Sequence, residues 1–129
     1  MPQAIDLTIA NGAATNKTFT LLVPAAGDGG IAQWALKEGA ISSVFPVLTA
    51  SATKKSTSRS LKVKFRLPSS FVDSSTGMTH VGESAEFNGT YVVPDNFPES
   101  MKADFAAYVK NALATALFVA MAKDGLPAT

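Results

Sequence analysis

The sequence has 129 residues, of which 47% are hydrophobic, and its formal net charge at pH 7 is only +1. A chain of this length can bury a core as one domain without disulfides or metals. The absence of cysteine excludes disulfides, thiolate catalysis and cysteine-ligated metal sites, and the near-neutral charge removes any global electrostatic argument for nucleic-acid binding.

We expect no export signal at the start of the chain. Met1 to Asp6 lack a basic segment followed by an apolar one, and no apolar run approaches the roughly 18 residues that a membrane span needs. We therefore expect one soluble domain over residues 1–129 that is not secreted and does not bind a membrane.

The first half of the chain shows the period-two alternation of β-strands. Alternation over residues 5–9 and 18–23, with Asn11 and Gly12 between them, predicts a β-hairpin over about residues 4–23. Residues 31–36 predict a short strand. Residues 41–53 predict another, in which Pro46 implies an edge or a bulge. Gly29 and Gly30 do not form a phosphate-binding loop, because neither a Lys-Ser/Thr pair nor a helix pattern follows them.

The clearest strand runs from Ser60 to Leu67, where polar and apolar residues alternate without interruption. Successive side chains of a strand point to opposite sides. Leu61, Val63, Phe65 and Leu67 are therefore expected on one face, and Ser60, Lys62, Lys64 and Arg66 on the other. No acid occurs between Glu38 and Asp73, whereas this interval holds six of the eleven lysines and arginines. The pattern predicts a basic patch on a near-neutral body, which is either merely solvated or covered by a polyanion.

A loop and a last strand follow. Residues 69–82 predict a long loop, in which His80 has no second His or Cys to share a metal, so we expect a surface role for it. Residues 83–93 alternate again, which puts Glu86, Asn88 and Thr90 on one side of a strand. If this strand neighbours the basic one, Asn88 and Thr90 lie beside Lys62 and Lys64.

The C-terminal third changes to a helical period over about residues 98–123. Met101, Phe105, Val109, Leu113, Leu117 and Met121 recur at intervals of four. Beyond Ala112 the segment is apolar nearly all round, so it must be covered on every side. A second chain is the simplest cover, and the alternative is a helix deep inside its own fold.

The ordered set of these features resembles the coat protein of the small single-stranded RNA bacteriophages, over nearly the whole chain. The features are Trp34 after the glycine pair, the strands 60–68 and 87–94, and a tail ending Lys-Asp-Gly-Leu-Pro-Ala at residues 123–128. The resemblance implies an α+β fold: an N-terminal hairpin and an antiparallel sheet over about residues 31–93, followed by two helical segments. It also implies a dimer with one continuous sheet and interlocked helices, assembling into an icosahedral shell in the bacterial cytoplasm and residing in the virion.

In that family the inner face of the sheet binds RNA, and many members repress translation by binding an operator hairpin there. Carried over by position, the RNA-binding residues are expected to be Thr49, Ser51, Ser60, Lys62, Lys64, Arg66, Glu86, Asn88 and Thr90. Glu86 departs from the pattern, because some members have a tyrosine there that stacks on a base. A carboxylate would instead repel phosphate, which puts a tight operator in doubt.

The resemblance also implies two protein–protein surfaces. The dimer interface is expected to include Phe105, Val109, Leu113, Leu117, Phe118 and Met121. The loop between dimers is expected to include Ser74, Thr76, Gly77, Met78 and His80, and to gather at the symmetry axes of the shell.

Two other classes of protein compete with a capsid subunit. One is a non-viral dimeric module that binds single-stranded nucleic acid through the same basic strand; such modules usually stack bases on aromatic residues, and the polar faces of the two best strands have none. The other is an enzyme, and no paired carboxylates, metal-ligand spacing or nucleophile with a base supports it. We expect no catalytic residue, metal, cofactor or small-molecule substrate.

Overall fold

The computed structural model describes residues 3–39 and 41–129 and shows a six-stranded sheet followed by two helices. The elements are β1 (Leu7–Ala10), β2 (Asn16–Val23), β3 (Ile31–Ala35), a 3₁₀ turn (Ser42–Val44), β4 (Val47–Lys54), β5 (Ser58–Val72), β6 (Thr79–Pro94), α1 (Glu99–Leu113) and α2 (Ala116–Asp124). The predicted α+β class and the order of its elements are confirmed. Residues 1 and 2 lie outside the described residues, so the expectation that the chain starts without an export signal stays a prediction.

The strands are ordered β1-β2-β3-β4-β5-β6, so each hydrogen-bonds to its neighbour along the chain. The registers from β1 to β5 are antiparallel. The chain divides into two compact units, one ending at Val92 and the other beginning at Val93. The single domain over residues 1–129 stays a prediction.

The predicted N-terminal hairpin is confirmed, and Asn11 closes it with its side chain. Its Oδ1 accepts hydrogen bonds from the backbone N–H of Ala13 at 2.9 Å and of Thr15 at 3.0 Å. Ala14 has a φ of 61°, the left-handed conformation that non-glycine residues adopt rarely. Asparagine can mimic a backbone turn in this way, and its two hydrogen bonds hold the residues on either side of Ala14.

The strand predicted over residues 41–53 is wrong in its first half. Residues Ser42–Val44 form a 3₁₀ turn, and β4 begins only at Val47. Pro46 has no N–H to donate to a sheet, while its carbonyl oxygen accepts from the Leu36 N–H at 3.0 Å. The proline therefore precedes the strand, and the strand itself contains neither an edge proline nor a bulge at that position.

The long loop predicted over residues 69–82 is wrong as well. β5 continues to Val72 and β6 begins at Thr79, which leaves a connection of residues 73–78. The Ser69 hydroxyl donates to the Glu83 carbonyl oxygen at 2.6 Å, and the Asp73 N–H donates to the Met78 carbonyl oxygen at 2.8 Å. Backbone pairing extends the hairpin through a serine-rich stretch because ladder hydrogen bonds do not require apolar side chains.

The core of the sheet unit is small. Phe19, Ala32, Ala35 and Val44 are buried, and the rings of Phe19 and Phe65 lie 6.0 Å apart between centroids. The register aligns Leu21, Trp34, Leu48 and Phe65 across four strands on the same face. Further along β5 and β6 this apolar face is incompletely covered, since Leu61, Leu67 and Phe87 are all more than one-third exposed.

The second unit contains both helices, and α2 is capped at both ends. The Thr115 hydroxyl accepts from the Phe118 N–H at 3.4 Å, so Thr115 is the N-cap of α2. Gly125 closes α2 at a φ of 68°, and its N–H donates to the Met121 carbonyl oxygen at 2.8 Å. No single described helix has the length and apolarity of a membrane span; α1 and α2 reach them only together, across a 57° bend.

Candidate nucleic-acid interface

The register of β5 against β4 defines a polar face on the sheet. Antiparallel partners share a face, and Lys64 lies opposite Thr49 while Lys62 lies opposite Ser51. Both lysines and Arg66 are exposed. The structure therefore brings together Thr49, Ser51, Lys62, Lys64 and Arg66, as the alternation predicts, although their role in binding RNA stays a prediction.

β3 adds two residues to this face that the sequence interpretation missed. Gln33 lies opposite Thr49, and Ile31 lies opposite Ser51. The strand has only five residues, and its pattern Ile-Ala-Gln-Trp-Ala contains no sustained alternation. The useful signal was Trp34: because its ring belongs to the apolar face, its neighbour Gln33 must belong to the polar one.

The polar face contains a cavity of about 400 Å³, within the range of small-molecule ligand sites (roughly 300–1,000 Å³). Asn88 and Thr90 line it together with Lys62 and Lys64, so the predicted proximity of β6 to the basic strand is what the structure shows. The remaining lining residues are Gly29, Ile31, Thr49, Ser51, Val63 and Gly89. Ammonium, amide and hydroxyl groups border this open cavity beside the apolar Ile31 and Val63, and these polar groups can bind phosphate, sugar or the edge of a base.

A second cavity of about 250 Å³ adjoins the first, since both include Thr49 and Lys64. Its other lining residues are Gln33, Val47 and Arg66. Val47 is the cross-strand partner of Arg66.

The cations of this face are not neutralised within the part of the chain that the structure describes. Lys17 pairs with Glu38 at 3.1 Å, and Arg59 pairs with Asp28 at 3.2 Å. No such ion pair involves Lys62, Lys64 or Arg66. Side chains at alternate positions of a strand are about 7 Å apart, so these charges repel one another, and an anion lying across them relieves that repulsion.

Ser60 is buried, so the prediction that it is accessible on the polar face is wrong. Its side chain has the expected parity, but the residue is only 3% exposed, and its hydroxyl has no hydrogen-bond partner among the described residues. An atom so deeply buried cannot contact a ligand that lies on the sheet surface. The alternation correctly assigned the face of Ser60 but carried no information about what covers it.

Glu86 is exposed and makes no ion pair with any described residue. It shares the parity of Asn88 and Thr90 on β6 but lines neither cavity. The carboxylate therefore lies on the polar strand face outside the cavities, where it is expected to repel phosphate.

The residues predicted at a dimer interface are apolar and incompletely covered. Leu113, Leu117 and Phe118 are 47%, 57% and 44% exposed. Phe105, Val109 and Met121 are half-buried, and neither helix contains a fully buried residue. Exposed apolar area of this extent is unusual for a free monomer.

The tip of the β5–β6 hairpin carries the residues predicted to contact neighbouring dimers. Met78 is 62% exposed, and His80 lies 5.4 Å from the ring of Phe71 and 3.8 Å from the carboxylate of Asp73. Ser74, Thr76 and Gly77 form the exposed turn. Phe71 and Val72, which are 56% and 64% exposed, extend this apolar tip and were missed because the sequence placed them in a loop.

Among the residues that the structure describes, no group of three or more His, Asp or Glu side chains is placed to hold a metal ion.

Comparison with solved structures gives matches over most or nearly all of the chain. The virus-like particle of bacteriophage NT-214 matches with a TM-score of 0.85 and 26% identity, over 99% of this chain and 100% of that one. The virus-like particle of bacteriophage ESE058 matches with a TM-score of 0.82 and 20% identity, over 99% of this chain and 100% of that one. The bacteriophage GA protein capsid matches with a TM-score of 0.73 and 15% identity, over 93% of this chain and 94% of that one. No protein-family model and no curated protein matches the sequence.

Proposed function

We propose a function on the premise that this chain is a structural relative of the levi-like bacteriophage coat proteins: it is a capsid subunit and resides in the virion. The observation that carries the proposal is the match to the NT-214 particle subunit, which leaves almost no residue of either chain unaligned. A chain that aligns with nearly the full length of a particle subunit is suited to the same structural role. Expressed alone, it is expected to form closed particles.

We propose further that the building block is a dimer. β6 has 16 residues and lies at the end of the sheet, with β5 as its neighbour among the described strands. A long unpaired strand edge is a hazard for aggregation unless something covers it. Pairing of β6 with β6 of a second copy covers this edge and makes one continuous sheet, and the exposed apolar residues of α2 supply a second contact.

The polar face is proposed to bind single-stranded RNA. The support is the clustering of Lys62 and Lys64 with the Asn88 amide and the Thr90 hydroxyl around the larger cavity, while Arg66 lines the adjoining one. None of the three cations has an ion pair with a described residue. A twofold dimer doubles these charges. Packaging of genomic RNA uses the phosphates, and repression of translation uses an operator hairpin on the same face, with Glu86 steering phosphate away from its own position.

Lys64→Ala is expected to weaken binding to most RNAs. Each neutralised phosphate releases counterions, and the log–log slope of affinity against salt is about −0.7 per contact for single strands. The variant is therefore expected to flatten the slope by about one contact. The measurement is a salt titration of filter binding with dissociated protein, random RNA and a hairpin from the cognate genome.

Asn88→Ala is the matched comparison on the neighbouring strand. A neutral amide reads base edges and adds no net charge, so this variant is expected to reduce discrimination between the two RNAs while the salt slope stays as in the parent. Unchanged affinity and slope in Lys64→Ala would mean that the basic face is merely solvated and would contradict the RNA-binding proposal.

The hairpin tip is proposed to contact neighbouring dimers. Met78→Glu places a charge on a residue that is 62% exposed in the free chain, so the dimer is expected to stay folded. Particles are expected to be lost or to dissociate at lower temperature, because a buried unpaired charge at a contact costs several kcal/mol. Light scattering during heating measures this.

Thr57→Glu serves as the control for the tip, since Thr57 is exposed in the β4–β5 turn and receives the same change of charge. Particles of parental heat stability in Met78→Glu would show that the tip makes no contact between dimers.

A further inference from the structure

The smaller cavity of the polar face has a lining suited to a single small anion. One row across β3, β4 and β5 contains Gln33, Thr49 and Lys64. Arg66 lies two residues beyond Lys64 on β5, on the same face of the sheet. Its volume of about 250 Å³ is smaller than that of the adjoining cavity. Among the described residues, no carboxylate lines it.

The polar groups around this cavity are predominantly hydrogen-bond donors. Arg66 presents a planar fork of N–H groups, Lys64 an ammonium and Gln33 an amide. The Thr49 hydroxyl lies 3.5 Å from the Lys64 carbonyl oxygen, which is too long for a strong hydrogen bond, so it can rotate towards a ligand. Two neighbouring cations that make no ion pair with a described residue, together with neutral donors, match the oxygens of a phosphate group.

We infer that this cavity is a phosphate-binding subsite, in which Arg66 holds the phosphate through two N–H groups, Lys64 supplies a second charge and Gln33 donates from the facing strand. The inference rests on the proposed RNA-binding function and assigns the subsite to one phosphate of the RNA backbone. Because Thr49 and Lys64 border both cavities, a phosphate held here fixes where the RNA chain enters the larger cavity.

The subsite differs from a diffuse basic surface in its dependence on geometry. A diffuse surface responds to charge alone, so Arg66→Lys and the neutral change Gln33→Leu would leave binding as in the parent. A built subsite loses the planar fork in Arg66→Lys, since lysine is a point charge, and loses a donor in Gln33→Leu. Arg66→Gln removes both the charge and the fork.

The test is binding of a short RNA oligomer to the full chain at several salt concentrations. Arg66→Gln is expected to weaken binding by about 10- to 100-fold, the range for hydrogen bonds to charged groups. Arg66→Lys is expected to recover only part of this loss. Gln33→Leu is expected to weaken binding several-fold with the salt slope of the parent.

Two controls accompany these variants. Arg59→Gln changes another exposed arginine of β5 that has the opposite parity and pairs with Asp28, and it is expected to bind as the parent does. An oligomer with uncharged methylphosphonate linkages removes the backbone charge, and on it the parent and the Arg66 and Gln33 variants are expected to bind equally.

Inorganic phosphate, titrated against the parent and Gln33→Leu and followed by ³¹P resonance, distinguishes two sources of the ligand. If the parent binds inorganic phosphate saturably and Gln33→Leu does not, the subsite binds free phosphate as well as RNA. If the substitutions change binding of the RNA oligomer only, the subsite binds the RNA backbone. Parental binding by both Arg66→Lys and Gln33→Leu overturns the subsite while RNA binding stands. Parental binding by Arg66→Gln and Lys64→Ala as well overturns the RNA-binding proposal on which the subsite rests.

Discussion

Leu117→Asp is expected to convert the dimer into a monomer. Leu117 is 57% exposed in the single chain, so the substitution is expected to disturb the isolated chain much less than an interface that covers this side chain. In a desolvated interface the new carboxylate has no partner, and an unpaired buried charge costs several kcal/mol. Such a cost raises the dissociation constant by a factor of about 10³, since each 1.4 kcal/mol is tenfold. Analytical ultracentrifugation of dissociated protein measures the change.

Phe118→Asp on the same helix is expected to act in the same way, and Lys110→Ala on α1 is the control. Lys110 is exposed and carries its charge in the last turn of α1. If both aspartate variants sediment as dimers with the parental dissociation constant, α2 takes no part in the contact between subunits.

Phe19→Ala is expected to lower the free energy of unfolding by about 3–5 kcal/mol, the usual cost of removing a buried aromatic ring. Phe19 is 5% exposed, and its ring lies 6.0 Å from that of Phe65. It is the largest of the buried hydrophobic residues that the structure describes, so its truncation removes the most buried apolar volume. Chemical denaturation at one fixed protein concentration measures the loss.

Leu22→Ala is the control for this substitution. Leu22 lies on the same strand but is 43% exposed, so truncating it is expected to cost much less, within about 1 kcal/mol. Equal losses in the two variants would contradict the placement of Phe19 in the core.

The polar face could be predicted largely because strand geometry is strict. Once Leu61 to Leu67 alternate, the parity of every lysine and arginine between them follows, and the observed register of Thr49 opposite Lys64 agrees with it. The same rule assigned Asn88 and Thr90 to the side of β6 that lines the cavity. Such inferences need only the two-residue period of one strand.

Other features depend on interactions that a local pattern does not contain. Ser60 is buried by what lies over it, and Gln33 joins the smaller cavity only through the pairing of β3 with β4. The pattern predicts a loop after Pro68 because both faces of that segment are polar or exposed, so alternation disappears although the backbone pairs. The pattern also predicts a strand through Pro46, because β-branched residues on both sides of the proline outweigh its missing N–H.

The sequence predicts that an apolar helix surface contacts another subunit, but it does not identify all the residues of the contacts between subunits. Residues 116–122 are apolar nearly all round, and the structure leaves Leu117, Phe118 and Val119 between 44% and 57% exposed. Sequence alone therefore indicated that something must cover α2. The apolar tip formed by Phe71, Val72 and Met78 was recognisable only after the hairpin of β5 and β6 had been described.

The most direct test of the capsid proposal is electron microscopy of the chain expressed alone and purified without denaturation, with sedimentation and absorbance at 260 and 280 nm on the same sample. We expect closed particles of uniform diameter that contain RNA and dissociate into dimers. A soluble monomer or dimer that forms no particles at high concentration, even when RNA is added, would contradict the assignment as a capsid subunit.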